Sequence, residues 1–162
     1  MNNKLEEFLI DKKLIDNDTK IISFHSSTHT SKEAAIILGV TTSEIIKSIV
    51  MIMENKCYLA ILPGNKKLRQ KAVRKAIKNS LGINYSDSRL ANGEEVLKFT
   101  GYEVGAVPPI NINLPVILDS SITEKQTVYA GGGTTTSILK ISVKKLLKLT
   151  NPIIFDIGRI NE

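Results

Sequence analysis

The chain has 162 residues, 42% hydrophobic and 23% charged, a balance that suits one globular domain burying about two thirds of its unfolded surface. No run reaches the roughly 18 apolar residues of a membrane span, and the polar start Met1-Asn2-Asn3-Lys4 is not a signal peptide, so a cytoplasmic protein without membrane contact is expected. The single cysteine, Cys57, excludes an internal disulfide and a cysteine-built zinc site, while the net charge of +6 suits a polyanionic partner.

Leu5, Phe8, Leu9 and Ile10 predict an amphipathic helix over residues 3–13. Ile21-Ile22-Ser23-Phe24-His25 reads as a strand. Thr30 or Ser31 caps a helix over 32–38 that Gly39 stops, and Thr42 or Ser43 opens one more turn ending near Lys47. Two nearly continuous apolar strands follow, 47–53 and 57–63, with Glu54-Asn55-Lys56 as their hairpin turn. Both are expected to lie centrally, covered on two faces. Past the turn Gly64-Asn65, residues 66–79 predict a basic helix. Leu68, Ala72, Val73, Ala76 and Ile77 face inward; Lys66, Lys67, Arg69, Lys71, Arg74, Lys75 and Lys78 face out. That outer face is either plain solvated surface or an RNA-backbone contact.

A short polar helix is expected over 89–99 and strands over 115–119, 127–130 and 137–141. Ser142 caps a last helix over 143–149, and a final strand covers 153–157. Hairpins outnumber helical crossovers and no linker interrupts the chain. Residues 1–162 therefore form a single α+β domain around a mixed sheet.

Three features can carry chemistry. Lys47 is a cation inside Ile45-Ile46-Lys47-Ser48-Ile49-Val50-Met51; it either snorkels to the surface or faces a cavity and awaits an anion or carbonyl. Gly101-Tyr102-Glu103-Val104-Gly105-Ala106-Val107-Pro108-Pro109 is either an ordinary turn or a rigid loop whose N–H groups meet a ligand. Gly131-Gly132-Gly133 lacks the Gly-Lys-Ser/Thr of a phosphate loop and is read as a bulge or a close backbone approach to a ligand. His25 and His29 have i, i+4 spacing but no acidic neighbour, which favours a polar loop over a metal site. Cys57 is read as core, and Asp119, at a strand end, is the best-placed acid. No catalytic triad is visible.

The order of these pieces resembles the YbaK family, which includes the editing domain inserted in bacterial prolyl-tRNA synthetases and free-standing deacylases. The likeness runs from about Ile21 to Ile157. It passes through Thr30-Ser31-Lys32-Glu33-Ala34-Ala35, Leu38-Gly39-Val40, Ile46-Lys47-Ser48-Ile49-Val50, Leu59-Ala60-Ile61-Leu62-Pro63, the Gly-x-x-x-Pro loop Gly105 to Pro109, Pro115-Val116-Ile117-Leu118-Asp119 and the glycine run. The resemblance implies a mostly antiparallel, barrel-like sheet with flanking helices. It implies a free-standing hydrolase that frees tRNA from a wrong amino acid, without metal or cofactor and with the substrate supplying part of the chemistry. Lys47 would position the aminoacyl-adenosine end and Gly105 would act in catalysis. Thr30, Gly101, Tyr102, Ala106, Pro109, Asp119, Ala130, Gly131 and Gly132 would bind substrate. Lys66, Lys67, Arg69, Lys71, Arg74 and Lys75 would face the tRNA backbone.

The implied partners are aminoacyl-tRNA and a synthetase, with the protein a monomer or weak homodimer. Departures from the family pattern at Ala106, Pro108, Ala130 and Thr134 shape a smaller, more apolar pocket, suited to alanine or cysteine on tRNA(Pro) or a similar tRNA. A non-catalytic module binding the tRNA acceptor end or a synthetase is the competing reading. A small-molecule pocket unrelated to tRNA is the third.

Overall fold

A computed structural model describes residues 3–26 and 30–161. The chain opens with α1 (Lys4–Asp11), β1 (Lys20–Ser23) and α2 (Ser31–Leu38). Asn3 caps α1 through its Oδ1, which accepts from the Leu5 N–H at 3.0 Å. Thr30 caps α2, its Oγ1 accepting from the Glu33 N–H at 3.1 Å, and Gly39 ends it at φ 71°. A 3₁₀ turn at Thr42–Glu44 leads into the hairpin β2 (Ile46–Met53) and β3 (Lys56–Pro63). The hairpin pairs from Ile46↔Pro63 to Met53↔Lys56. Its turn places Glu54 at φ 56°, as tight hairpin turns require.

Next come β4 (Lys66–Leu68), α3 (Gln70–Leu81), β5 (Arg89–Leu90), α4 (Gly93–Thr100), β6 (Val116–Asp119) and a 3₁₀ turn at Ser120–Glu124. The chain closes with β7 (Thr127–Gly131), β8 (Ser137–Ser142), α5 (Val143–Thr150), β9 (Ile153–Phe155) and β10 (Gly158–Ile160).

Hydrogen bonding groups the described strands into sheets ordered β5-β2-β3-β6-β9, β1-β8-β7 and β10-β4. The β3–β6 and β6–β9 pairs are parallel and the others antiparallel. A parallel bridge between Ile45 and Tyr129 joins the first sheet to the second. The central hairpin is covered on both faces, as its unbroken apolar run predicts. On one face Met51, Met53, Tyr58, Ala60 and Ile117 pack against Ala72, Val73, Ala76 and Ile77 of α3. On the other, Ile46, Val50, Leu59, Ile61 and Leu118 meet Val128, Leu139 and Ile141 of the three-stranded sheet and Leu5 and Leu9 of α1.

Some predicted boundaries move. Residues 66–68 are not helical: they form β4, paired antiparallel with β10. The Arg69 N–H donates to the Ile157 carbonyl at 2.8 Å, so this segment is held extended by a partner remote in sequence. Residues 89–90 are likewise strand, paired with Met51 and Ile52. The helix after them starts at Gly93, behind a capping box of Asn92 and Glu95. The turn before β2 stops at Glu44, which leaves Lys47 inside a strand. β10 and the Ser120–Glu124 turn were not expected from sequence.

Asp119 ties these late elements together. It is fully buried. Its Oδ1 accepts from the N–H groups of Ile157 (2.9 Å) and Gly158 (3.1 Å). Its Oδ2 accepts from the Lys66 ammonium (3.1 Å) and from the Ser121 N–H (3.3 Å) and hydroxyl. Burial pushes its pKa up most strongly, but bonds from Ser121, Ile157 and Lys66 together outweigh that and hold it below the ordinary value. A carboxyl with a lowered folded-state pKa stabilises the fold above its unfolded-state pKa and loses that contribution as pH falls. Asp119→Ala, which leaves Lys66 without its anion, is expected to cost about 3 kcal/mol in urea unfolding at pH 7. The gap to the parent should close below about pH 4.

Candidate active site

A cavity of about 280 Å³ opens where β2 and β7 part. Beyond the Ile45–Tyr129 bridge, the outer edge of β2 meets no strand until β5 pairs with Met51 and Ile52. The cavity lies along that open edge and so touches residues of both strand faces: Ile45, Ile46, Lys47 and Ser48. Its other walls are Thr30, Ser31 and Ala34 of the α2 end, Val104, Gly105 and Val107 of the 101–109 loop, and Ala130, Gly131, Ser137 and Ile138 of the β7–β8 hairpin.

Among the described residues, Lys47 is the only charged one in this lining. It is half-buried, and among the described residues its ammonium has no hydrogen-bond or ion-pair partner. Burial therefore lowers its pKa. An unmatched, partly dehydrated cation is a ready partner for a carbonyl or phosphate oxygen. The Oγ of Ser48 beside it is buried and has no partner among the described residues. The Val50 carbonyl accepts from the Ala91 N–H at 2.9 Å, so strand alternation turns the Ser48 peptide groups to the same edge, where the cavity lies. Ser48 was not singled out from sequence; the signal was a polar residue beside Lys47 in an otherwise apolar strand.

Gly105 has φ 86°, a left-handed value that favours glycine, and its N–H has no protein acceptor among the described residues. Ala106 is buried; its N–H donates to the Glu103 carbonyl and its own carbonyl accepts from the Gly133 N–H, both at 3.0 Å. A Cβ on Gly131 would stand 2.2 Å from the Val107 carbonyl oxygen, and one on Gly132 would stand 2.4 Å from the Ser137 carbonyl carbon. The glycine run thus lets the β7–β8 hairpin close against the 101–109 loop.

Several predicted site residues lie behind the walls. Tyr102 is buried, its hydroxyl accepting from Asn111 Nδ2 at 2.8 Å. Gly101 is the left-handed end of α4. Pro109 is buried in the loop base, and Gly132 is buried beneath β8. Asp119 does not line the cavity, because its oxygens serve Lys66, Ser121 and the 157–158 backbone. His25 is exposed; His29 lies outside the described residues. Among the described residues no three His, Cys, Asp or Glu gather as metal ligands, and no helix is long and apolar enough to cross a membrane.

Residues 25–149 match the family model for the aminoacyl-tRNA editing domain. The chain belongs to that family. It is 29% identical over 134 residues to the uncharacterised protein YwhH of Bacillus subtilis, covering 81% of each chain. It is 30% identical over 103 residues to the proline–tRNA ligase of Thermotoga neapolitana, 64% of this chain and 17% of that enzyme. The match is therefore to one segment of the ligase. Two solved structures superpose with a TM-score of 0.81. One is a hypothetical protein, APE2540, at 30% identity, covering 96% of this chain and 99% of the other. The second is a candidate trans-editing enzyme for prolyl tRNA synthetase at 29% identity, covering 97% and 96%.

The basic positions of the editing domain divide by partner. Lys66 is held by Asp119, Arg69 by Asp156 (3.2 Å) and Arg74 by the Ser88 hydroxyl (2.6 Å). Lys67 on β4 and Lys71 and Lys75 on α3 are exposed. They sit on the side of the central sheet that α3 covers, with the sheet between them and the three-stranded partner.

Because the folded state holds the Lys47 proton less tightly than the unfolded chain does, this charge costs stability at neutral pH. The cost fades as pH rises toward the ordinary lysine range near 10.4. Lys47→Met keeps the stem and removes the charge. It is expected to raise stability by about 0.5–1 kcal/mol at pH 7, measured by urea unfolding, with the gain shrinking toward pH 10.

Proposed function

We propose that this editing domain hydrolyses the ester that joins a small, wrongly attached amino acid to the 3′ end of a tRNA, acting in trans on tRNA(Pro) or a similar tRNA. The observation that carries the reading is the Lys47 ammonium, without a partner among the described residues, in a cavity whose other described walls are neutral. Membership of the editing family supports it, as does the full-length likeness to a candidate trans-editing enzyme.

In the reaction, water adds to the ester carbonyl carbon and the bond to the ribose oxygen breaks. The ribose oxygen leaves with a proton, giving free amino acid and tRNA. Lys47 holds the carbonyl or a terminal phosphate oxygen by charge. The Ser48 and Gly105 N–H groups are candidate donors to the oxygen on which negative charge builds. The described lining contains no carboxylate, imidazole or thiol. A hydroxyl of the substrate's own terminal ribose is thus the group proposed to steer the water. A volume of about 280 Å³ is just below the roughly 300–1,000 Å³ of ligand sites. Ala34, Ala130 and Gly131 leave room there for a small side chain such as that of alanine or cysteine.

A panel of tRNAs charged with Ala, Cys, Ser and Pro tests this directly. Release of Ala or Cys well above the buffer rate is expected, with Lys47→Ala slowing it by about 10²–10³-fold. Salt-sensitive tRNA binding with no turnover on any member would instead favour an acceptor-end binding module.

A further inference from the structure

The family model begins at residue 25, so α1 lies outside it. Yet the first turn of α1 touches both glycine segments behind the cavity. Asn3 Nδ2 donates to the Gly132 carbonyl at 2.8 Å while Asn3 Oδ1 accepts from the Leu5 N–H at 3.0 Å. One contact demands a donor and the other an acceptor, which a carboxamide supplies on two separate atoms and a carboxylate does not. Gly133, at φ 92°, lies beneath this side chain, where a Cβ would stand 2.4 Å from Asn3 Oδ1. The next residue reaches the other segment. Lys4 Nζ donates to the Gly101 carbonyl and lies 4.6 Å from the centre of the Tyr102 ring. The two segments meet each other through the Gly133 N–H, which donates to the Ala106 carbonyl at 3.0 Å.

We propose that Asn3 and Lys4 are positioning residues of the active site: they brace the 101–109 loop against the Gly131–Gly133 run and so set where the Gly105 N–H and the Lys47 ammonium stand relative to each other. The catalytic part of this inference rests on the deacylase reading; the brace itself does not. Neither residue lines the cavity, so each acts through the loop and not on substrate. Leu5 and Leu9 are fully buried in the main core. They anchor α1 firmly enough for its first turn to serve as a fixed point.

Asn3→Asp separates the brace from helix capping, since aspartate caps a helix as well as asparagine does but cannot donate to the Gly132 carbonyl. Lys4→Met removes the second contact, and Lys4→Arg retains a cation there. Three quantities are compared in the full chain: the unfolding midpoint, hydrogen exchange at the Gly133 amide, and single-turnover deacylation of the best substrate of the panel. For Asn3→Asp the unfolding midpoint should stay close to the parent. Gly133 exchange should rise about tenfold and the deacylation rate fall about tenfold or more, with half-saturation unchanged. Lys4→Met should act likewise and Lys4→Arg should restore most of the rate.

Parent-like exchange at Gly133 in Asn3→Asp overturns the brace, and raised exchange with an unchanged rate overturns its positioning role. If the parent deacylates no tRNA, the deacylase reading and the catalytic role fail together, while raised Gly133 exchange still upholds the brace.

Discussion

The geometry of this domain follows from how β2 is paired. One edge is hydrogen-bonded to β3 along its whole length, while among the described residues the other is engaged at two places, by Tyr129 at one end and by β5 at the other. A strand edge left open inside a protein must face solvent, a side chain or a ligand, because its peptide groups are costly to bury unpaired. Here it faces a cavity. The two sheets are pinned together at Ile45, diverge, and leave Lys47 and Ser48 at the gap.

That gap places stability and function in opposition. A half-buried lysine without an anion is an unfavourable element of a fold, and an apolar residue would sit there more comfortably. Elsewhere the structure satisfies its internal charge: Asp119, fully buried, accepts five hydrogen bonds. The contrast supports the proposal that Lys47 is kept for a group that is not part of the protein. The 101–109 loop and the glycine run supply the rigid counterface. Their close approach is possible only where β7 carries no side chain.

The editing family accounts for the chain from residue 25 to residue 149. What lies outside it is not ornamental. β9 forms one edge of the central sheet, β10 pairs with β4, and Ile157 and Gly158, where β10 begins, supply backbone N–H groups that hold Asp119. α1 fills the main core with Leu5 and Leu9 and reaches the back of the cavity with Asn3 and Lys4. The basic surface is split by the same economy of contacts: Lys66, Arg69 and Arg74 serve the fold, while Lys67, Lys71 and Lys75 stay in water.

The helix caps at Thr30 and Ser142, the central hairpin and the helix-ending Gly39 were legible because each depends on residues within a few positions of one another. Lys47 was legible for the same reason: an ammonium breaks an apolar run visibly. Residues 66–68 and 89–90 were misread as helix because their strand partners, β10 and β2, lie far away in sequence, and a local periodicity carries no record of a distant hydrogen bond. Asp119 looked like a site residue by position, but only the folded chain shows that Ile157, Gly158 and Lys66 use up its oxygens. The sequence by itself thus determined the local elements, the class of fold and the cation. The tertiary structure alone decided which polar groups face the cavity, because that depends on which of them the rest of the chain has already satisfied.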